Sequence, residues 1–491
     1  MSARAAGSAA LAGIALLLGC SSAPGVALQR PPRGPAAGPL RVDSANPRYF
    51  ADPQGHVVYL AGSHTWSDLQ DYGFTDPPPR FAYRAFLDSL VAYDHNFMRL
   101  WRWEQATWQT ETTHEFWFSP QPYLRSGPGL ALDGKAKFDL GRFDEAYFDR
   151  LRERVAEAGR RGIYVSVMLF NGWSIEQKDR GLGNPWRGHP FNRSNNVNGV
   201  DGDPDHAGNG LATHTLRVAQ VTALQERYVA KVVETVGDLD NVMYEISNES
   251  RPASTEWQYH MVRFVRGLEA RRGKQHPIGM TAEYPGGDNA DLYHSPADWI
   301  SPNGSLDDPP PADGRKVILW DSDHLCGLCT SQGAAWRALT RGVNPVLMDP
   351  FDSTARGMDV HLGSGYDPEA ATWVAARRGI GDTHSYAARL ALGRLAPRPE
   401  LASTGYCLAS AGPGGAEYLV YAPDGGRVSV ELGARRDSVA VEWYSPSRRA
   451  SYAGGIVAGG GNHTFTAPFL WKDAVLHLSS AATSITNGGP R

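Results

Sequence analysis

Carboxylates stand directly after apolar runs at several points of the sequence, where a buried strand would end. The clearest case is Asn241-Val-Met-Tyr-Glu-Ile-Ser-Asn-Glu-Ser250, which opens with Val242 and Met243 and closes on Asn248 and Glu249. Ligands of parallel α/β folds bind at the carboxyl ends of the strands, so a carboxamide and a carboxylate there are typical of an active-site edge. We therefore predict that Glu249 is a catalytic acid and that Asn248 binds substrate.

A second carboxylate is predicted after the apolar run 316–320, which is followed by Asp321-Ser-Asp-His324. Two carboxyl groups that flank one bond can act as general acid and as nucleophile or base, which is the chemistry of glycoside hydrolysis. Asp321 and Asp323 share strand parity, so both could point inward. Asp321 is placed first because it directly follows the strand. Glu283, at the end of the run 277–283, is an alternative.

Other polar and aromatic residues recur where predicted strands end and are candidates for binding a substrate. Such side chains supply the flat apolar surfaces and hydrogen bonds that a sugar ring needs. These candidates are His64, Trp66, Arg99, Trp101, Asn171, Trp173, Tyr284 and His324. For Trp66 a place in the core is an equally good interpretation. Glu245 shares parity with Glu249 but lies deeper, and we expect it to pair with a cation such as Arg99.

The candidate residues would be positioned by apolar strands that alternate with amphipathic helices. The eight predicted strands are 57–61, 96–103, 162–170, 241–250, 277–283, 297–301, 316–320 and 344–348. Apolar residues at helical spacing separate most of them, for example over 143–158 and 214–236. This alternation predicts an α/β fold. A Gly-rich phosphate turn after an early strand is missing, which favours a (β/α)8 TIM barrel over an open doubly wound sheet.

The pattern changes beyond Pro397, where apolar and polar residues alternate with period two. The predicted strands there are 417–422, 426–432, 438–444 and 474–478, with Gly-rich turns between them. Period-two strands joined by such turns predict a small antiparallel β-sandwich. We place the catalytic barrel at 40–397, the sandwich at 398–480 and a tail at 481–491.

The composition of the 491-residue chain excludes some functions. The formal net charge is −4, so the sequence lacks the basic footprint expected of a nucleic-acid-binding protein. The hydrophobic share of 42% is that of an ordinary globular protein. The carboxylates and aromatic residues at the strand ends make a carbohydrate the predicted partner, and no cofactor is predicted.

The first 20 residues are predicted to be a lipoprotein signal peptide. Arg4 precedes a short apolar core at 11–18, which is too short to span a bilayer. The sequence Leu17-Leu-Gly-Cys20 resembles the lipobox of bacterial lipoproteins, in which the Cys is lipidated; a plain secretory signal is the alternative. Residues 21–39 are interpreted as a tether. We expect an exported bacterial lipoprotein, membrane-anchored through Cys20 at the periplasm or cell surface.

The remaining cysteines are Cys326, Cys329 and Cys407, an odd number that does not make a disulfide framework. Cys326 and Cys329 could bridge locally. A rival interpretation takes the run from Asp321 to Cys329 as a metal site. Mixed ligands at adjacent positions are geometrically awkward, so no metal is predicted.

Several motifs resemble known glycoside hydrolases. Asn248-Glu249 at the end of the fourth strand is similar to the Asn-Glu signature of clan A, whose Glu is the acid/base. Four segments resemble the apiosidase-like glycoside hydrolase family. They are Leu40-Arg-Val-Asp-Ser-Ala-Asn-Pro-Arg-Tyr-Phe50, Tyr59-Leu-Ala-Gly-Ser-His-Thr-Trp66, Tyr244-Glu-Ile-Ser-Asn-Glu249 and Asp321-Ser-Asp-His324. A C-terminal β domain named for collagen binding is resembled by Gly405-Tyr-Cys-Leu408, Tyr418-Leu-Val-Tyr421, Pro423-Asp-Gly-Gly426 and Ala467-Pro-Phe469.

The resemblance implies a retaining or inverting glycosidase with Glu249 as acid/base. Clan A enzymes usually carry a Glu at the end of strand seven, whereas this chain has Asp321 and Asp323, whose shorter side chains widen the gap. Our leading hypothesis is a glycoside hydrolase of plant or microbial polysaccharide. The second is a non-catalytic glycan- or matrix-binding surface lipoprotein, with a decayed barrel and the β domain as binder. A metal-dependent hydrolase is the third.

Overall fold

The computed structural model describes residues 26–28, 30, 33–109, 115–178, 183–351, 367–410, 416–433, 437–470 and 472–480. The predicted signal peptide with Cys20, the first part of the predicted tether and the tail 481–491 lie outside the described residues. No helix in the described ranges is long and apolar enough to cross a membrane.

Eight parallel strands close into a barrel, in which each strand pairs with the next along the chain and the last pairs with the first. The strands are β1 (Gly62–His64), β2 (Phe97–Leu100), β3 (Tyr164–Asn171), β4 (Val242–Asn248), β5 (Ile278–Thr281), β6 (Trp299–Ser301), β7 (Val317–Asp321) and β8 (Asn344–Met348). The prediction of a (β/α)8 TIM barrel is confirmed.

Helices surround the barrel and bury their apolar faces against it. They are α1 (Tyr83–Ala92), α2 (Glu145–Arg160), α3 (Ala219–Val236), α4 (Thr255–Arg272), α5 (Asn289–His294), α6 (Ser322–Cys326), α7 (Ala334–Thr340) and α8 (Ala371–Ala387). In α2 the Asp144 side chain caps the N-terminus by accepting from the Ala146 N–H. Leu151, Val155 and Ala158 of α2 share one core with the barrel strands. Helical spacing therefore predicted the buried face correctly.

The first barrel strand is not where the sequence predicted it. Val57–Val58 belongs to a small antiparallel sheet with Phe50–Ala51 and Arg41–Val42, and the barrel strand is the short segment Gly62–His64. Between these two segments the backbone does not pair with a neighbouring strand. The Leu60 N–H donates instead to the side-chain amide oxygen of Asn344. An apolar run alone could not reveal this substitution of partners.

Residues 33–40 pack against the barrel, although the composition assigned them as far as residue 39 to a tether. The Arg33 guanidinium lies 2.9 Å from the Asp94 carboxylate and donates to the His95 carbonyl at 2.8 Å. Leu40 is buried next to Phe50 in a cluster at the amino-terminal ends of the barrel strands. Proline- and glycine-rich composition predicted the irregular backbone here but not its contacts.

The segments after β1, β2 and β3 build an aromatic wall on one side of the barrel mouth. A small antiparallel sheet joins Asp71–Gly73, Thr107–Gln109 and Glu115–Ser119, and a hairpin joins Tyr123–Leu130 to Ala136–Phe143. Short 3₁₀ turns follow at Gly172–Ser174, Pro185–Gly188, Arg193–Asn195 and Leu211–His214. The cluster formed here contains Trp66, Tyr72, Trp101, Trp103, Trp108, Phe116, Phe118, Met168 and Met348. Most of the tryptophans in this region therefore serve the core.

A second antiparallel β unit follows the barrel. Its strands are β9 (Ala396–Pro397), β10 (Cys407–Ser410), β11 (Glu417–Ala422), β12 (Arg427–Glu431), β13 (Val439–Ser445), β14 (Ala450–Val457), β15 (Asn462–Thr466) and β16 (Ala474–Ser480). Strands β12 and β15 form a two-stranded sheet, and the others form one large sheet that Val26–Ala27 extends at the β14 edge. A shared apolar core joins the two sheets. The predicted C-terminal β fold is confirmed.

The large sheet packs its other face onto the barrel. Trp336 of α7 and Tyr386 of α8 share a core with Leu419, Tyr444 and Val475 of the sheet. Polar contacts border this core, since the Tyr444 hydroxyl donates to Asp382 of α8 at 2.9 Å. The sheet is therefore built onto the helices after β7 and β8.

Candidate active site

The carboxyl ends of β2, β4 and β7 converge on one buried arginine. The Arg99 side chain is 1% exposed and donates to both Glu245 oxygens, at 2.6 and 2.8 Å. Its Nη1 donates to Asp321 and to Asp323 at 2.9 Å each. The expected pairing of Glu245 with Arg99 is confirmed. One guanidinium thus holds three carboxylates at the floor of the site.

Asp321 and Asp323 occupy different environments although both touch Arg99. Asp321 caps helix α6 by accepting from the Asp323 N–H at 3.0 Å, and His64 Nε2 lies 3.0 Å from its other oxygen. Burial alone would raise the pKa of Asp321, but His64 and Arg99 outweigh it and hold that pKa well below its usual range. Asp321 is therefore ionised, and its two oxygens are held by His64, Arg99 and the Asp323 N–H.

Asp323 lies on the first turn of α6, closer to the mouth of the barrel. Its side chain is 7% exposed, against 1% for Asp321. Burial raises the pKa of Asp323, Arg99 opposes this, and the charge of Asp321 adds to it. Asp323 also acts electrostatically on Glu249. Of the two aspartates at the end of β7, Asp323 is the one whose charge contributes more to the raised pKa of Glu249.

Glu249 follows β4 directly and is 6% exposed. Its backbone is left-handed, with φ +48°, which costs a residue other than glycine about 1–3 kcal/mol. Burial first, and the charge of Asp323 second, raise the pKa of Glu249 to about 8, while a hydrogen bond from the Trp173 indole N–H opposes the rise. Such a carboxyl group carries a proton at neutral pH and can give it away.

Asn248 presents an oriented amide beside Glu249. Its Oδ1 accepts from Arg99 at 2.7 Å and lies 3.0 Å from His324 Nε2. Burial and the charge of Arg99 lower the pKa of His324, so His324 is neutral, and Ser301 lies 2.6 Å from its other ring nitrogen. Two donors on Oδ1 fix the amide, and Asn248 Nδ2 is a buried donor that has no hydrogen-bond partner among the residues that the structure describes. That donor suits a substrate hydroxyl.

The aromatic candidates fall into two groups. His64 stacks on Trp101 with ring centroids 5.5 Å apart, and both are buried with Trp66 in the aromatic wall. Trp173 and Tyr284 stack with centroids 6.0 Å apart at the rim next to Glu249, and both are half-buried. The second pair offers the flat apolar surface that a sugar ring can use.

Two candidates from the sequence lie away from Arg99. Glu283 turns outward to helix α4, where the Thr255 hydroxyl donates to it at 2.8 Å, and burial raises its pKa to about 7. Asn171 is buried and caps the 3₁₀ turn Gly172–Ser174 through the Trp173 N–H. The geometry gives Glu283 and Asn171 no direct place beside the Arg99 cluster.

Sequence reasoning missed two residues that border the site. Lys178 lies in the loop after β3, and its Nζ donates to the backbone carbonyl oxygens of Glu249 and Tyr284. Glu104, four residues past the end of β2, is buried with His214 and accepts from its ring at 2.9 Å. Neither has a local motif, because their partners lie far away in the sequence.

The rival interpretation as a metal site meets a different arrangement. Cys326 and Cys329 form a disulfide, so their sulfur atoms are bonded to each other. The Arg99 guanidinium lies between the carboxylates of Asp321 and Asp323. Within the described ranges no group of three or more His, Cys, Asp or Glu residues could hold a metal ion.

Barrel and site together define a (β/α)8 protein with a carboxylate-lined mouth. A domain of unknown function (DUF6298) matches residues 72–288. No curated protein matches the chain. Two solved structures share the fold: one described as a glycoside hydrolase, at 12% identity and a TM-score of 0.53, covers 90% of this chain and 97% of its own. The other is a glycoside hydrolase family 5 protein from Bacteroides vulgatus ATCC 8482, at 14% identity and a TM-score of 0.56, covering 91% and 94%.

Proposed function

We propose that the protein is a glycoside hydrolase in which Glu249 is the general acid. The observation that carries the proposal is the pairing of a carboxyl group whose pKa is raised to about 8 with a second carboxyl group, Asp323, held by Arg99. A carboxyl group that keeps its proton at neutral pH beside a second carboxyl group is the arrangement that glycoside hydrolysis needs. The similarity of the fold to glycoside hydrolases agrees with this function.

In this mechanism protonated Glu249 gives its proton to the glycosidic oxygen as the bond to the anomeric carbon breaks. Asp323 acts from the opposite face, as nucleophile or as base for water. Positive charge develops on the sugar ring, and the carboxylates around Arg99 outnumber its single charge, so the site stabilises that charge. The amide of Asn248 binds a hydroxyl of the same sugar.

The roles assigned to the two aspartates differ from the order that the sequence suggested. Asp321 already serves His64, Arg99 and the first turn of α6, so moving its carboxylate would disturb all three. Asp323 accepts a hydrogen bond from Arg99 and lies 3.6 Å from His324 Nε2, and its charge acts on Glu249. We therefore propose Asp323 as the second catalytic carboxylate and Asp321 as its support.

Purified wild-type protein is first screened on plant-cell-wall and bacterial glycans, because the polysaccharide substrate is itself a proposal. Glu249→Gln is then compared with wild type on an alkyl and a nitrophenyl glycoside of the sugar found. Loss of a general acid costs about 10²–10⁴-fold in turnover. We expect a loss of that size in kcat/KM on the alkyl glycoside and a much smaller loss in kcat/KM on the nitrophenyl glycoside, whose leaving group needs no proton. Equal losses on both substrates would refute the role of Glu249.

The pH dependence provides an independent check. Glu249 must be protonated to act, so kcat/KM should fall as pH rises through the pKa of about 8. An enzyme with an ordinary glutamic acid would lose activity several pH units lower. Wild-type protein that binds glycans without cleaving them would instead support the non-catalytic alternative.

The resemblance to the apiosidase-like family and the lipid anchor on Cys20 are further parts of this proposal. The lipobox-like sequence that ends at Cys20 and the short apolar segment before it support an exported, membrane-anchored protein. Labelling with a radioactive fatty acid tests the anchor, since Cys20→Ser should abolish incorporation. Unchanged incorporation in that variant would contradict it.

A further inference from the structure

A second buried polar cluster lies beside the proposed general acid and includes Ser250, the residue after Glu249. Glu104 Oε1 accepts from the Asn171 N–H at 2.8 Å and lies 2.9 Å from His214 Nε2. The other ring nitrogen of His214 lies 2.9 Å from the Ser250 hydroxyl. Glu104, Asn171, His214 and Ser250 are each at most 2% exposed. The cluster therefore ties together the ends of β2, β3 and β4 and the turn before α3.

Glu104 is the charged centre of this cluster. Burial alone would raise its pKa, but His214 and Arg102 outweigh burial and hold the pKa well below its usual range. The charged and titratable groups that face Glu104 are Arg102, His189 and His214, at 3.9, 3.6 and 2.9 Å. An anion fixed by these groups holds the backbone at Asn171 and the ring of His214 in place.

The 3₁₀ turn that starts at Asn171 rests directly on the backbone of Glu249. A Cβ atom at Gly172 would lie 2.4 Å from the Glu249 carbonyl oxygen and 2.7 Å from the Ser250 Cα. The next residue in the turn, Trp173, donates its indole N–H to the Glu249 carboxyl group. The Glu104 N–H donates to the Ser174 hydroxyl at 3.0 Å, at the end of the same turn. Glu104 thus holds the turn at both ends.

We infer that Glu104, acting through Asn171 and His214, is a positioning residue that fixes Trp173 and the backbone of Glu249 for proton transfer. The inference rests on the proposed function, in which Glu249 is the general acid. Glu104 lies behind the turn, out of contact with the Arg99 cluster, and its effect on the reaction passes through Trp173 and Ser250. None of the four members of the cluster acts on the sugar directly.

The variant Glu104→Gln tests this role because it keeps the shape of the side chain and removes the charge. We expect kcat to fall roughly 10- to 100-fold, as for a small displacement of a catalytic group, with KM changed much less. The hydrogen bond from Trp173 opposes the raised pKa of Glu249, so loosening the turn should raise that pKa further. The alkaline limb of kcat/KM should therefore move to higher pH.

Other charges also face Glu249, namely Asp323, Lys178 and Arg99. Trp173→Phe isolates the indole contribution, since it removes the donor and leaves those charges in place. We expect Trp173→Phe to shift the alkaline limb in the same direction as Glu104→Gln. The double variant should shift it no further than Trp173→Phe alone, because both changes act through one hydrogen bond. Additive shifts would overturn the inference.

Glu269 and His276 provide a matched control at the opposite end of the barrel. One oxygen of Glu269 lies 2.6 Å from His276 Nδ1, and the other accepts from the backbone N–H of His276 at 2.7 Å. Both residues are buried. Glu269→Gln should lower Tm about as much as Glu104→Gln while leaving kcat and the alkaline limb unchanged. If the two variants behave alike in kcat and pH profile, Glu104 serves stability only and the inference is wrong.

A spectroscopic measurement separates this inference from the proposed function. Protein labelled with 5-fluorotryptophan gives a ¹⁹F resonance for Trp173 that is assigned by its loss in Trp173→Phe. In wild type it should titrate with Glu249, and in Glu104→Gln its midpoint should move to higher pH, whereas Glu269→Gln should match wild type. Identical titrations in wild type and Glu104→Gln would overturn the positioning role even in an active enzyme. A shifted titration in protein without glycosidase activity would support it while the proposed function fails.

Discussion

Replacing Arg99 by Met should destabilise the protein more than almost any other single change at the barrel mouth. The substitution keeps an unbranched apolar stem and removes the hydrogen bonds of the guanidinium to Glu245, Asn248, Asp321 and Asp323, together with its 3.4 Å contact with His64 Nε2. Removing one partner of a buried ion pair costs about 3–5 kcal/mol. Because three carboxylates lose one shared partner, we expect a loss of about 5 kcal/mol in the free energy of unfolding.

The expected shift in Tm follows from the size of the chain. With an unfolding entropy of about 2.1 cal/mol/K per residue, 491 residues give about 1 kcal/mol/K. A loss of 5 kcal/mol therefore lowers Tm by about 5 °C in calorimetry. The double variant with Glu245→Gln should recover part of the loss, since one buried anion has been neutralised. A shift below about 1 °C, or no recovery in the double variant, would refute the reasoning.

The sign of the pH dependence gives a second check on the Arg99 prediction. In wild type the pKa of Asp321 is held below its usual value, so its contribution to stability is present above that value and disappears as pH falls through the folded pKa. Without Arg99 the folded carboxylates have raised pKa values instead, and stability disappears as pH rises through them. The Tm gap between wild type and the Met variant should therefore narrow between pH 7 and pH 4.

Two further predictions concern the neighbours of Glu249. Asp323→Asn should reduce turnover about 10²–10⁴-fold with a smaller loss of Tm than Asp321→Asn, which removes the charge that both Arg99 and His64 contact. Equal turnover in Asp323→Asn and wild type would contradict the role of Asp323. Gly172→Ala should lower both Tm and kcat, because its Cβ would lie 2.4 Å from the Glu249 carbonyl oxygen. The control Gly34→Ala, with open space around it, should change neither. A Gly172→Ala variant with wild-type kcat would show that the position of the turn does not affect the reaction.

The sequence predicted the barrel because its strands are apolar runs, a pattern that can be recognised in each segment by itself. The exception is β1, where Gly62 packs so closely on β2 that a Cβ would lie 1.8 Å from the Phe97 carbonyl oxygen. A glycine followed by Ser63 and His64 carries no apolar strand signal. The neighbouring run 57–61 does carry that signal, but the Asn344 and Asn96 side chains bond its last residues instead of a strand.

The candidate site could be predicted only as far as strand parity reaches. Parity placed Glu245 on the same side of its strand as Glu249, and its charge predicted a cation such as Arg99 as its partner, which the structure confirms. It could not rank Asp321 and Asp323, because the difference arises from a short helix that starts within the motif. It could not find Glu104 at all, since Asn171 and His214, its partners, lie 67 and 110 residues away. Such contacts follow from the closed barrel rather than from any local pattern.

The packing of the C-terminal sheet on α7 and α8 bears on how the protein could be divided or recombined. Trp336 and Tyr386 are 1% and 0% exposed, and they share a core with Leu419 and Tyr444 of the sheet. Cutting the chain near Pro397 would leave that apolar face open to solvent and to other molecules. The sheet forms part of the core around α7 and α8, so exchange of this module between proteins would have to include both helices.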